Sequence, residues 1–286
     1  MASDTPLTRV SYLSTLAAHL GERYSAHTRR AFLQQGHHFL TSCGVKAVYS
    51  REEVLAFVDD LIRQGYKADS IRTILTGVRA MFDVNRLAWP LAERDTRLGL
   101  PQETPTRPTL SPREVGLLIG AVRDSPGFPR AVVALVSVWG LRGDEVARAF
   151  AAGCDGRRLE VQTAKGGRKR EHTVPSFLAP ALRFSPTRVS TRLLHDQFEK
   201  LMRARVREPL PREGWHAVRR AVVTGLFGAK VERHEIHHWM GWKEKEDIAL
   251  DYYHPDEAEL DRRIYRVHPF LPFWVPRESR STTVSP

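Results

Sequence analysis

The sequence predicts a mainly α-helical chain with a small β-sheet, an α+β protein built in two parts, and three observations carry that expectation. Residues 1–100 hold apolar stripes of helical period with capping signals in front of them. The stretch Gly99–Pro108, GLPQETPTRP, has three prolines and no apolar periodicity, which marks residues 101–108 as a linker. Residues 109–286 add one strand–turn–strand pattern to a further series of helices. At 286 residues, each part is long enough to bury a core.

The first part reads as four helices. Ser25 is placed to cap one that carries Ala31, Phe32 and Phe39, and Ser50 with Glu53 forms a capping box before Val54, Leu55, Phe57, Val58, Leu61 and Ile62. Ile71, Ile74, Leu75, Val78, Met81 and Phe82 give another stripe. In the second part Ser111, Pro112 and Glu114 supply N-cap, first-turn proline and capping-box partner. The segment from about Arg130 to Trp139 is nearly all apolar and is expected to be buried, with Gly140 ending it. GLRGDEV follows and sets Arg142 at a rigid junction, with Asp144 and Glu145 at the next helix start. Leu159 and Val161 then alternate ahead of Lys165, the chain turns at Gly166 and Gly167 and resumes towards Val174, a hairpin with Lys165 near its tip. Ser190–Arg207 is a basic helix.

The formal charge of +11 is concentrated: residues 156–220 hold 16 Lys and Arg against 6 Asp and Glu. A basic surface of this kind is the footprint of a polyanion partner, nucleic acid first, with Arg168, Lys169 and Arg170 as candidate phosphate contacts. Only Cys43 and Cys154 occur, far apart, which supports neither a disulfide framework nor a cysteine zinc site. No run of about 18 apolar residues and no signal-peptide core is present, so no membrane association and a cytoplasmic, nucleoid-associated location are expected.

The chemistry gathers in residues 215–255. His216 and Arg219 stand three apart and share a helix face away from the apolar stripe Val218, Val222 and Leu226, which aims the pair outward. A short helix from about Glu232 to Met240 ends at Gly241, before Trp242, and Tyr252 and Tyr253 follow about ten residues later. Arginine offers a fork for phosphate oxygens, histidine a donor or proton carrier, and tyrosine a phenol able to attack phosphorus. The inventory suits phosphoryl transfer to the protein itself.

With Arg142, Lys165, His216, Arg219, Trp242 and a tyrosine in this order, the chain resembles the tyrosine recombinases, the phage integrase family. GLRGDEV resembles the family's first-arginine box with its acidic partner Glu145, HAVRR its His-x-x-Arg box, and MGW its Gly-Trp pair. Tyr252-Tyr253-His254 is similar to its Tyr-x-His ending, which makes Tyr252 the nucleophile and Tyr253 the alternative. Two departures stand out: one extra residue between Trp242 and Tyr252, absorbed in KEKED, and Ala217 where an Asp is frequent. The match runs from about Thr109 to His254, and the helical first part is similar in kind to the family's core-binding domain.

The resemblance implies a site-specific recombinase or integrase that cuts and rejoins DNA through a covalent 3′-phosphotyrosine. Arg142 and Arg219 would hold the phosphate oxygens, His216 and the Trp242 indole would donate to them, and Lys165 would protonate the leaving 5′-oxygen. It implies no cofactor, metal or ATP. A homo-tetramer on paired DNA sites is implied as well, coupled by a docking tail at about 264–286 that contains Phe270, Leu271, Phe273, Trp274 and Val275; the other reading of that apolar cluster is that it folds back onto its own domain. Type IB topoisomerase chemistry and a non-catalytic DNA-binding descendant of an integrase are the alternatives. HEIHH, His234–His238, also satisfies the H-E-x-x-H zinc-protease pattern, but Glu244 stands where an extended version wants a third histidine.

Overall fold

The computed structural model describes residues 8–21, 23–92, 107–163, 169–242 and 255–275. The chain divides into two compact units, Met1–Pro105 and Thr106–Pro286.

The first unit is four helices: α1 (Arg9–Leu20), α2 (Ala26–Cys43), α3 (Arg51–Arg63) and α4 (Ala68–Val84). Ser25 caps α2, and Ser50 with Glu53 closes a capping box on α3 in which each side chain meets the other residue's backbone N–H. The α4 stripe and Val54, Phe57, Val58 and Leu61 of α3 face inward, whereas Leu55 is half-buried and Ile62 is exposed at the end of α3, and Phe39 packs with rings Tyr49, Phe57 and Phe82 at 5.1–5.5 Å between centroids.

The second unit begins with α5 (Pro112–Val122), capped by Ser111 and Glu114 as expected, and α6 (Phe128–Trp139). All residues from Ala131 to Trp139 are buried, which is why no polar face appears in their sequence. Gly140 adopts the left-handed conformation at the end of α6, and α7 (Gly143–Ala152) starts three residues on. The β structure consists of two antiparallel pairs among the described residues: β1 (Cys154–Asp155) with β4 (Arg183–Phe184), and the hairpin β2 (Arg158–Gln162) with β3 (Lys169–Thr173). The expected hairpin is therefore present, with its Lys165 tip outside the described residues. A short turn of helix, α8 (Ala179–Leu182), leads to β4 and then to the basic helix α9 (Thr191–Arg205). The helices α10 (Trp215–Gly228) and α11 (Arg233–Trp239) complete the core, with α12 (Glu257–Val267) and the single turn α13 (Leu271–Trp274) after them. Gly228 lies within α10, and the chain reverses beyond it, at Lys230, whose φ is 60°.

As far as Val275 the apolar tail folds back on its own unit, and residues 276–286 lie outside the described residues. Phe270, Leu271 and Trp274 are buried in the core, the Trp274 indole N–H donates to Ser137 Oγ at 3.1 Å, and His268 meets the Val138 carbonyl at 2.8 Å. The reason is α6: its end offers an apolar wall and unpaired polar atoms that the aromatic turn covers and satisfies. Trp274→Ala should cost about 3–5 kcal/mol, read as a fall in the urea midpoint at unchanged slope. A midpoint equal to wild type would mean that the aromatic turn is not part of the folded core.

Candidate active site

The centre of the site is a buried carboxylate. Arg142 is the N-cap residue of α7, and Glu145, three residues on, turns back to accept from the Arg142 backbone N–H at 2.9 Å and from its Nη1 at 2.8 Å. The Glu145 side chain is fully buried, and its Oε2 also lies 3.5 Å from Arg219 Nη1. One acidic group thus fixes both arginines. It is the capping chemistry of GLRGDEV, a helix start with a glutamate at the third position, that puts the first guanidinium in place.

Two glycine turns hold the second. Gly140 packs against Met240, close enough that a Cβ on Gly140 would stand 2.7 Å from the methionine methyl. Arg219 reaches from α10 into this junction, donating through Nη1 to the Gly140 carbonyl and through Nη2 to the Met240 carbonyl at 3.5 Å. Its guanidinium carbon lies 5.5 Å from the centre of the Trp242 ring, within cation–π reach. The outward aim expected for Arg219 is therefore corrected: the side chain is buried, because the α10 face it occupies looks into the Gly140–Glu145 junction and not into solvent. Burial, then the Arg142 charge, lower its pKa to about 9 against the pull of Glu145, so it stays a cation at neutral pH. Arg142 is the guanidinium that reaches solvent, with a quarter of its side chain exposed.

His216 stands exposed one turn before Arg219, and desolvation of its inner side, then Arg219, Arg142 and Arg220, push its pKa below the ordinary value. Its neutral form dominates at pH 7. Trp242 is half-buried, with His237 edge-on to its ring at 5.1 Å between centroids. The structure thus brings together Arg142, Glu145, His216, Arg219 and Trp242. Lys165, Arg168, Tyr252 and Tyr253 lie outside the described residues.

The expected phosphate contacts divide. Lys169 is exposed and paired with Glu160 at 2.8 Å. Arg170 is corrected, since it is 2 % exposed and its Nη1 donates to the Trp239 carbonyl. The β3 alternation sets Lys169 out and Arg170 in.

Neighbouring groups support this arrangement, and one of them was not singled out by any motif. Arg207 grips Glu213 through two bonds of 2.8 Å and Glu114 through one of 2.7 Å, which pins the loop ahead of α10 and so the start of the His216 helix. The residues of the HEIHH pattern are engaged in their own unit: Glu235 pairs with Arg263, and His238 Nε2 meets Glu257 at 2.9 Å. Among the described residues no group of three His, Cys, Asp or Glu is close enough to hold a metal ion.

Behind β3, His172 Nδ1 meets Asp261 Oδ1 at 2.9 Å, and the Thr173 N–H donates to the other carboxyl oxygen at 2.6 Å. Burial pushes Asp261 up to about 7 despite the Thr173 N–H, and burial, then Arg170, pushes His172 well below its ordinary value. The Asp261 value lies above that of the unfolded carboxyl, near 3.9. Its contribution to stability is therefore full below about pH 4 and is lost as pH rises through about 7. Asp261→Asn should flatten the stability–pH curve across that window and gain on wild type at about pH 8, as read from urea midpoints. Parallel curves for the two proteins would contradict this.

No family model matches the chain, and no curated protein matches it. Its fold has counterparts among solved structures. The integrase of the Tn1549 transposon in complex with transposon right end DNA is 14% identical, covering 90% of this chain and 99% of that one with a TM-score of 0.60. Lambda integrase as a dimer bound to a COC′ core site is 18% identical, covering 86% and 95% with a TM-score of 0.58. Lambda integrase as a tetramer bound to a Holliday junction is also 18% identical, covering 89% and 79% with a TM-score of 0.60. The chain has the tyrosine recombinase, or integrase, fold.

Proposed function

We propose that this chain, folded as a tyrosine recombinase, is a site-specific DNA recombinase or integrase that cuts and rejoins strands through a covalent 3′-phosphotyrosine. The observation that supports it best is the convergence of Arg142, Arg219, His216 and Trp242 around buried Glu145, since binding DNA needs basic charge but no such convergence. The solved counterparts hold core-site DNA, transposon-end DNA and a Holliday junction, as a dimer or tetramer in the lambda cases, which supports double-stranded DNA and a homo-tetramer on paired sites as the partners. No helix among the described residues is long and apolar enough to cross a membrane. A cytoplasmic, nucleoid-associated location belongs to the same reading.

The chemistry then runs on charge. Tyr252 Oη attacks the scissile phosphorus and loses its proton, and neutral His216 is suited to accept it. Negative charge grows on the non-bridging oxygens, where Arg142 supplies solvent-facing N–H groups. Arg219 supplies positive charge from behind, and its 3.5 Å contacts to Met240 and Glu145 lie at the edge of hydrogen-bond reach, open to exchange for a phosphate oxygen. The P–O5′ bond breaks and Lys165 protonates the leaving oxygen. The phosphoester is conserved in the tyrosine linkage, so rejoining needs no ATP.

The test is to incubate the protein with nicked duplexes drawn from the DNA that flanks its own gene and look for an adduct that survives denaturation. An adduct is expected. DNA binding without one would favour the non-catalytic descendant, and an adduct without exchange of partner strands would favour topoisomerase-type resealing. DNA affinity should fall by ~0.9 log units per log unit of salt for each phosphate neutralised, and removing the charges of Arg168 and Lys169 should lower that slope. An unchanged slope would show that the hairpin cations face solvent alone.

A further inference from the structure

Arg170 has no place in the chemistry above, yet it is one of the largest fully buried side chains in the protein. It shares the inward face of β3 with His172, and its Nη1 donates to the carbonyl of Trp239, the last residue of α11. Nε and Nη2 have no hydrogen-bond partner among the described residues. Gly241, at φ +64°, lies directly on the guanidinium: a Cβ there would stand 2.7 Å from Arg170 Nε and would also collide with the Thr163 side chain. The turn after Trp239 therefore has the backbone of a glycine, the footing of an arginine and Trp242 at its end.

A buried guanidinium with two unpaired donors is a poor choice for stability. Apolar side chains of similar volume often replace buried charges without loss. Desolvation lowers the Arg170 pKa to about 10, with Glu145 the first charge to oppose it, so this cation also sits within electrostatic range of the carboxylate that holds Arg142 and Arg219.

We propose that Arg170 is a positioning residue for the site: by tying β3 to the carbonyl end of α11 beneath Gly241, it fixes the turn that presents Trp242 beside Arg219. The proposal rests on the strand-cutting reading above. It differs from a DNA contact, because the side chain is closed off from any phosphate, and from a packing role, because packing alone is served by methionine.

The experiment compares wild type, Arg170→Met, Arg170→Lys, Trp242→Ala and the Arg170→Met/Trp242→Ala pair in adduct formation on nicked DNA, salt-dependent DNA affinity and thermal melting. Arg170→Met is expected to slow adduct formation by about 100-fold, the scale of a lost preorganised donor, with Tm, DNA affinity and salt slope unchanged. Arg170→Lys should recover part of the rate. The double variant should be no slower than Trp242→Ala alone, because a residue that acts through the turn has nothing left to position. Any of three results overturns the proposal: a wild-type rate in Arg170→Met, a salt slope lowered by one phosphate, or a Tm loss whose correction at lower temperature restores the rate. If wild type itself forms no adduct, the strand-cutting reading fails and this inference with it; if wild type forms one that Arg170→Met matches, the inference fails alone.

Discussion

Tyr252→Phe should abolish the covalent protein–DNA adduct while leaving DNA affinity within about twofold of wild type. The phenol oxygen is the proposed attacking atom, and no other group in the set can form the phosphoester bond. One hydroxyl adds little to binding that is dominated by phosphate charge. Tyr253→Phe is the paired measurement. An adduct lost in Tyr253→Phe and kept in Tyr252→Phe would move the nucleophile one residue along. An adduct kept in both would remove tyrosine from the chemistry.

Glu145→Gln should be the most damaging change at a residue that never touches DNA. Its carboxylate is fully buried and serves Arg142 through backbone and side chain, with Arg219 at 3.5 Å. The amide keeps the shape but turns an N–H donor towards guanidinium donors, and it leaves buried Arg219 without its counter-charge. Breaking a buried pair in this way costs about 3–5 kcal/mol, and adduct formation should fall by at least about 100-fold in the fraction that stays folded. Urea melts at pH 7 and adduct rates read the two losses separately. A variant as stable as wild type would show that the arginines are neutralised by some other group, and the central place given to Glu145 would be lost.

Where local chemistry decides a feature, the sequence was a sufficient guide. The capping boxes at Ser50 and Ser111 lie where serine precedes a glutamate by three, since a cap needs only neighbours in the chain. The burial of α6 followed from its lack of polar residues. Arg219 was legible as a candidate but not in its direction: a helical wheel assigns a charged side chain to solvent, and nothing in HAVRR says that the Gly140 turn will come to meet it. Arg170 was misplaced by its company in a run of cations, although counting back by twos from buried Val174 through His172 sets it inward. Arg207 and Glu213 could not have been paired with Glu114, which is 93 residues away from Arg207, without the fold itself.

The helix α6, buried from Ala131 to Trp139, bears on how the site is held. Arg219 hangs from the carbonyl of Gly140, the residue that closes α6, and the tail reaches the same helix through Ser137 and Val138. Backbone amides in so dry a segment exchange with solvent only when the whole unit opens, whereas those of exposed hairpins exchange through local openings at far lower free energy. The Arg219 end of the candidate site is therefore anchored in a buried segment, whose amides are expected to be among the slowest of its unit to exchange.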